Sequence, residues 1–181
     1  GDRIAVVGAG MVGCCVAAVA AGIPGVRLQL VDVDPRRAVI AEALGVDFAL
    51  PEDAAGACVL VLHASASSEG LARSLELLAD EGEVVELSWY GDRPVNVRLG
   101  ESFHSRRLVL RSSQVGMVAP ARRGRRSPAD RLALALRLLA DPVFDAVFTD
   151  ECRFEDLPRL MPALAGGELP GLCVRVLYGQ T

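Results

Sequence analysis

A chain of 181 residues can build one domain with a substantial core, and 51% hydrophobic residues suit a sheet buried on both faces. A net charge of −4 gives no reason to expect nucleic acid or an anionic membrane as a partner. No apolar run reaches spanning length, because Gly, Asp or Arg interrupts each one.

Cys14, Cys15, Cys58, Cys152 and Cys173 form neither a CxxC pair nor a regular spacing, and the histidines are His63 and His104. Neither a disulfide framework nor a zinc site is expected from this set, so no residue is assigned to metal. The cysteine usage fits a reducing compartment, and Gly1-Asp2-Arg3 leads into a strand without the features of a secretory leader. A cytoplasmic location is the expectation.

In chain order, Ile4–Gly8 reads as a first strand, and Met11–Ala21 as a small-residue helix ending near Gly22. Val26–Asp32 is a second strand. Pro35 opens a helix that Gly45 closes, Asp47–Leu50 is a short third strand, and 51–56 is a connector. Cys58–His63 is a continuous apolar run of the kind a parallel sheet buries. Ser67–Asp80 reads as an amphipathic helix with Leu71, Leu75 and Leu78 on one face. Glu83–Leu87 and Leu108–Ser112 are the fifth and sixth strands, with a short helical turn within Leu99–Ser105. Strands alternating with helices predict an α/β fold with a doubly wound, parallel, six-stranded sheet in the order 3-2-1-4-5-6.

A basic loop spans Ala119–Pro128, and its plain reading is a solvated connection. A leucine-rich helix follows over Asp130–Ala140, with Ser127 as cap and Pro128 at its first position. A helix broken by Pro158 and Pro162 covers Phe154–Ala165, and a strand covers Leu172–Tyr178. Two parts are expected: residues 1–114 as a dinucleotide-binding domain, and 115–181 as a helix–helix–strand return segment.

The chemistry concentrates in V-V-G-A-G-M-V-G, from Val6 to Gly13. Gly8 permits the turn out of the strand, Gly10 lets backbone approach a pyrophosphate, and Gly13 lets the helix pack against the sheet. The open amides and positive dipole end of that helix suit phosphate, which brings Met11 and Val12 into the candidate site. Asp32 lies 24 positions after Gly8, at the end of the second strand, where a carboxylate can accept from ribose hydroxyls. It would repel a 2′-phosphate, so NAD is expected over NADP. Arg36 and Arg37 argue the other way if one pairs with that phosphate. Cys14 and Cys15 follow the loop, either as thiols tuned by the dipole or as small buried fillers.

These segments resemble the cofactor half of the medium-chain dehydrogenase/reductase superfamily, the alcohol-dehydrogenase-like enzymes. V-V-G-A-G-M-V-G resembles its glycine loop, and V-D-V-D-P-R-R-A-V-I-A-E-A-L-G-V its second strand and following helix. L-V-L-H-A-S-A-S-S-E-G-L resembles its fourth strand and crossover, with His63 where an acid is common and Ala66 where a glycine is common. E-G-E-V-V-E-L-S-W-Y-G resembles the fifth strand, with Ser88 in a glycine place, and L-V-L-R-S-S-Q the sixth, with Ser112 in another. The resemblance implies that the chain beyond Gln114 returns toward a catalytic domain. It also implies that zinc ligands and proton-relay residues belong to an N-terminal domain whose motifs this sequence lacks. A missing or separate catalytic domain is therefore an expected partner, a homodimer is possible, and the catalytic residues are unknown.

Strand ends form the ligand crevice of such a sheet. His63 ends the fourth strand, as a contact to ribose or as a rim histidine bonded to backbone or water. Ala64 and Ser65 would lie against the cofactor. Ser88, Trp89 and Tyr90 end the fifth strand near the expected nicotinamide position, as stacking groups or as a lid. Ser113 and Gln114 could bond the carboxamide, and Arg175 could reach the pyrophosphate. The function implied is hydride transfer between a nicotinamide and a small alcohol or carbonyl substrate, with the isolated chain inactive. The alternative is a non-catalytic dinucleotide-binding or redox-sensing module.

Overall fold

The structure is a computed structural model and describes residues 1–100, 102–166, 168–169 and 171–179. A six-stranded sheet runs through it. The strands are β1 (Arg3–Val7), β2 (Arg27–Val31), β3 (Asp47–Ala49), β4 (Cys58–His63), β5 (Leu78–Glu86) and β6 (Val109–Ser112). Their order is β3-β2-β1-β4-β5-β6 and every neighbouring pair is parallel. The order reverses between β1 and β4, which opens a crevice beyond their carboxyl ends. Val6 and Val61 on these central strands are wholly buried, as their unbroken apolar sequences require.

Helix α1 (Met11–Ala21) lies on one face of the sheet, where Gly13, Cys14, Ala17 and Ala20 are buried. Its small residues allow a close approach. A Cβ at Gly13 would stand 1.8 Å from the Gly8 carbonyl oxygen, so only glycine fits there. Cys14 is a buried filler: its thiol donates to the Ala9 carbonyl at 3.5 Å, and burial pushes its pKa up to about 11. The helix expected after Pro35 starts as a 3-10 turn over Pro35–Arg37 and becomes α2 (Ala38–Ala43). These helices pack with Val6, Leu28 and Leu30 into one core cluster.

The other face is covered by α3 (Ser68–Leu77), whose Leu71 and Leu75 pack with Val7, Val31, Val61 and Val84. Ser67 caps it by accepting the Gly70 N–H at 2.9 Å. The expected helix through Asp80 ends early. Leu78 is extended (φ −65°, ψ 151°), pairs with Cys58 and is buried in the sheet instead of on a helix face. Strand β5 therefore begins five residues before Glu83, with an irregular register between Cys58 and Leu60 and Glu81 at φ 61°. A buried amide anchors the connector before β4. Gln29 on β2 donates to the Ala55 carbonyl at 2.6 Å and accepts the Ala55 N–H at 3.0 Å.

Beyond α4 (Ser102–Ser105) and β6, the chain forms α5 (Pro128–Leu138). Its start is a reciprocal cap between Ser127 and Asp130. A 3-10 segment, Pro142–Val147, follows and inserts Val143, Ala146 and Val147 into the core beside α1 and α2. Strand β7 (Asp150–Arg153), α6 (Leu157–Ala165) and β8 (Val174–Leu177) make a small parallel pair joined by a helix. Strand β7 is not anticipated by its sequence, because Asp-Glu-Cys-Arg lacks apolar alternation. The first turn of the helix expected from Phe154 is 3-10, and Pro162 lies inside α6. No helix among the described residues is long and apolar enough to cross a membrane.

Candidate functional site

Gly8 leaves β1 with φ 103°, a conformation that strongly favours glycine. A Cβ there would lie 2.6 Å from the Ser65 amide nitrogen, so the turns after β1 and β4 touch backbone to backbone. Asp32, just past β2, holds this loop from the other side. Its Oδ2 accepts the Ala9 N–H at 2.6 Å and its Oδ1 the Asp34 N–H at 2.9 Å.

The three turns enclose a cleft of about 480 Å³. Gly8 and Gly10, Asp32, Arg37, Ala64 and Ser65 are among its walls. Space around Gly10 is open, with no atom within 4 Å of where a Cβ would stand. The first-turn amides of α1 have no intrahelical acceptors, so the end beside Gly10 suits an anion. Arg37 is mostly covered and lies 3.6 Å from Asp34. Arg36 points outward and is paired with Asp34 at 2.8 Å. Arg73 of α3 also reaches the cleft, donating to the Pro51 carbonyl at 2.7 Å.

Below Ser65 lies a polar cluster within the sheet. His63 is fully buried and is the register partner of Glu86 on β5. Its Nδ1 is 2.7 Å from Glu86 Oε2, and its Nε2 is 2.6 Å from Ser65 Oγ. Glu86 Oε2 also accepts the Tyr90 hydroxyl at 3.0 Å, and Oε1 accepts the Ser88 N–H at 2.7 Å. Burial pushes the Glu86 carboxyl up, but the bonds from His63 and Ser88 outweigh it and hold the pKa below its ordinary value. Tyr90 is raised, by burial and by its bond to Glu86. A carboxylate only accepts, so the neutral imidazole carries its proton on Nδ1 and takes the Ser65 O–H at Nε2. Ser67 Oγ, 3.0 Å from Ser65 Oγ, then donates to it.

The expected site residues thus divide. Gly8, Gly10, Asp32, Arg37, Ala64 and Ser65 share one cleft. His63 reaches that cleft only through Ser65. Gly13 is buried beneath the loop, while Met11 is half-buried and Val12 exposed at the start of α1. Ser88 accepts the Ala66 N–H at 3.0 Å, and Trp89 is 86% exposed. Ser113 donates its N–H to the Glu86 carbonyl at 2.8 Å, and Gln114 lines a separate hollow with Arg122 and Arg126. Arg175 is paired with Glu151 on β7. Glu86, Ser67 and Arg73 were not singled out from sequence. A signal for Glu86 existed: it is an ionisable residue ending an apolar strand at the level of a histidine ending another.

No protein-family profile and no curated protein sequence matches the chain. Solved structures do. L-idonate 5-dehydrogenase from Escherichia coli superposes with a TM-score of 0.78 at 18% identity, over 98% of this chain and 50% of its own. An alcohol dehydrogenase from E. coli CFT073, complexed with NADH, gives 0.72 at 16%, over 99% and 52%. An oxidoreductase from Salmonella enterica, in complex with NADP, gives 0.73 at 20%, over 99% and 55%. The chain spans about half the length of each. The fold, including the C-terminal helix and strand, is shared with about half of each of these proteins.

Proposed function

We propose that this chain is the dinucleotide-binding part of an alcohol-dehydrogenase-like oxidoreductase, with NAD as the preferred cofactor. The observation that carries this is the single cleft bounded by Gly8, Gly10 and Asp32, at the point where the strand order reverses. The residues present fit the group. Open space at Gly10 and the first-turn amides of α1 would take the pyrophosphate. Asp32 would accept from the adenosine ribose, and its charge disfavours a 2′-phosphate. Arg37 lies within reach of the same region, but Asp34 beside it offsets its charge.

When bound, the cofactor supplies hydride exchange with an alcohol or carbonyl carbon. The chain's part is to orient the cofactor and shield it from water. Groups that polarise the substrate would come from a further catalytic domain. Leu132 and Leu136 lie exposed on one side of α5, and Leu134 and Leu138 on nearly the opposite side, so the helix offers apolar area that such a domain could cover. Among the described residues, no group of three or more His, Cys, Asp or Glu is placed to hold a metal ion.

Calorimetric titration with NADH and NADPH tests the reading. NADH binding that is tighter than NADPH supports it, and no binding of either nucleotide overturns it.

A further inference from the structure

The geometry points to a second chemistry at the cleft: we propose that Ser65, His63 and Glu86 form a nucleophile–base–acid triad that accepts acyl groups from small carboxylic esters. The inference does not depend on the dinucleotide reading. It rests on the three-residue arrangement in which a serine proton is held by an imidazole that a carboxylate orients.

Ser65 Oγ is 2.6 Å from His63 Nε2, and His63 Nδ1 is 2.7 Å from Glu86 Oε2. Both separations are hydrogen-bond lengths, and the carboxylate fixes the tautomer that lets Nε2 act as base. Glu86 is itself held by Tyr90 and Ser88, so the imidazole has a fixed orienting partner. Ser65 sits in the turn from β4 to α3 and lines the cleft, while His63 and its partner carboxylate lie beneath. The next residue, Ala66, has φ 53°, so the turn presenting Ser65 is strained. Gly70 lets α3 pack close against Ser65 Oγ, since a Cβ there would stand 2.1 Å from the oxygen. The first-turn amides of Ser68 and Glu69 have no intrahelical acceptor, and Glu69 lines the same cleft. They are the donors for a developing oxyanion.

In the step, Ser65 Oγ bonds to the ester carbonyl carbon as its proton passes to His63 Nε2. The ester C–O bond breaks, and the same proton leaves with the alcohol. Water then attacks the acyl-serine and gives a proton to His63; the acyl–Oγ bond breaks, His63 passes that proton to Ser65 Oγ, and the acid leaves.

The test uses a fluorophosphonate probe, read by intact mass and peptide mapping, and p-nitrophenyl acetate for turnover. One adduct per chain, on Ser65, with a burst of nitrophenolate, is the expected result. Ser65→Ala should remove the adduct, and Glu86→Gln should slow labelling about a thousandfold while circular dichroism stays unchanged. No adduct in the wild type overturns the proposal, as does an adduct on a different serine. A Glu86→Gln variant that folds and labels at the wild-type rate also overturns it. NADH titration of the same sample separates the two readings. Binding without a Ser65 adduct removes only the triad, and an adduct without binding removes only the dinucleotide assignment.

Discussion

Asp32 Oδ2 accepts the Ala9 N–H at 2.6 Å, and Ala9 is wholly buried. The acid assigned to the ribose therefore also ties the glycine loop to β2. Removing it affects two things at once, and two substitutions separate them. Asp32→Asn keeps an oxygen for the Ala9 amide, loses the charge and turns its NH2 toward the Asp34 N–H, so the NADH preference should narrow with a smaller loss of stability than Asp32→Ala brings. Asp32→Ala leaves a buried donor without an acceptor and should cost about 1–3 kcal/mol. Urea unfolding of both variants, beside calorimetry with NADH and NADPH, checks the separation. Equal destabilisation by the two would deny the loop-tying role.

The glycines of the loop should fail in different ways. Gly10 faces open space, so Gly10→Val should fold normally and lose nucleotide binding. Gly13→Ala places a Cβ against the Gly8 carbonyl and should destabilise the fold itself. Circular dichroism with thermal melting tells the two apart. A Gly10→Val chain that binds NADH as the wild type does would take the loop out of the site.

Ala66 occupies a left-handed conformation that costs an alanine about 1–2 kcal/mol relative to a relaxed backbone. Ala66→Gly should therefore stabilise the chain, by about 1 kcal/mol after glycine's greater freedom in the unfolded state is subtracted. The readout is the urea midpoint. A lower midpoint would mean that the Ala66 methyl makes contacts worth more than the strain.

Glu86 carries a pH signature. Its folded-state pKa lies below the ordinary 4.5, so the carboxylate is the better-stabilised form in the native state. The resulting stability is fully present above about pH 4.5 and is lost as pH falls through the folded pKa. The stability gap between the wild type and Glu86→Gln should be wide at pH 7 and shrink in acid. Chemical denaturation at several pH values measures it, and a gap that widened below pH 4 would have the wrong sign.

Much of this molecule is legible in its sequence. The alternation of apolar runs with helical stretches gives the strand order, because parallel strands buried on both faces leave an unbroken apolar record, as in Cys58–His63. The glycine loop and Asp32 are legible because each residue answers a local demand. The cluster under the cleft is not. His63 and Glu86 are 23 residues apart and meet only through β4–β5 register, and the irregularity near Cys58 sets that register. Strand β7 is equally hidden, since its polar residues carry no burial pattern. The early end of α3 escapes notice because Leu78 continues the helical apolar spacing while serving the sheet.

Helix α3 passes into β5 with no residue between them, Leu77 closing one and Leu78 opening the other. A joint of that kind has no slack. Both flanking leucines are almost fully enclosed, so this crossover offers a protease no extended exposed segment to bind. The stretch around Arg122, Arg123, Arg125 and Arg126 lies open to solvent at the opposite extreme. Brief trypsin treatment should cut there first and release two large pieces, while amide hydrogens across the α3–β5 joint remain among the slowest to exchange.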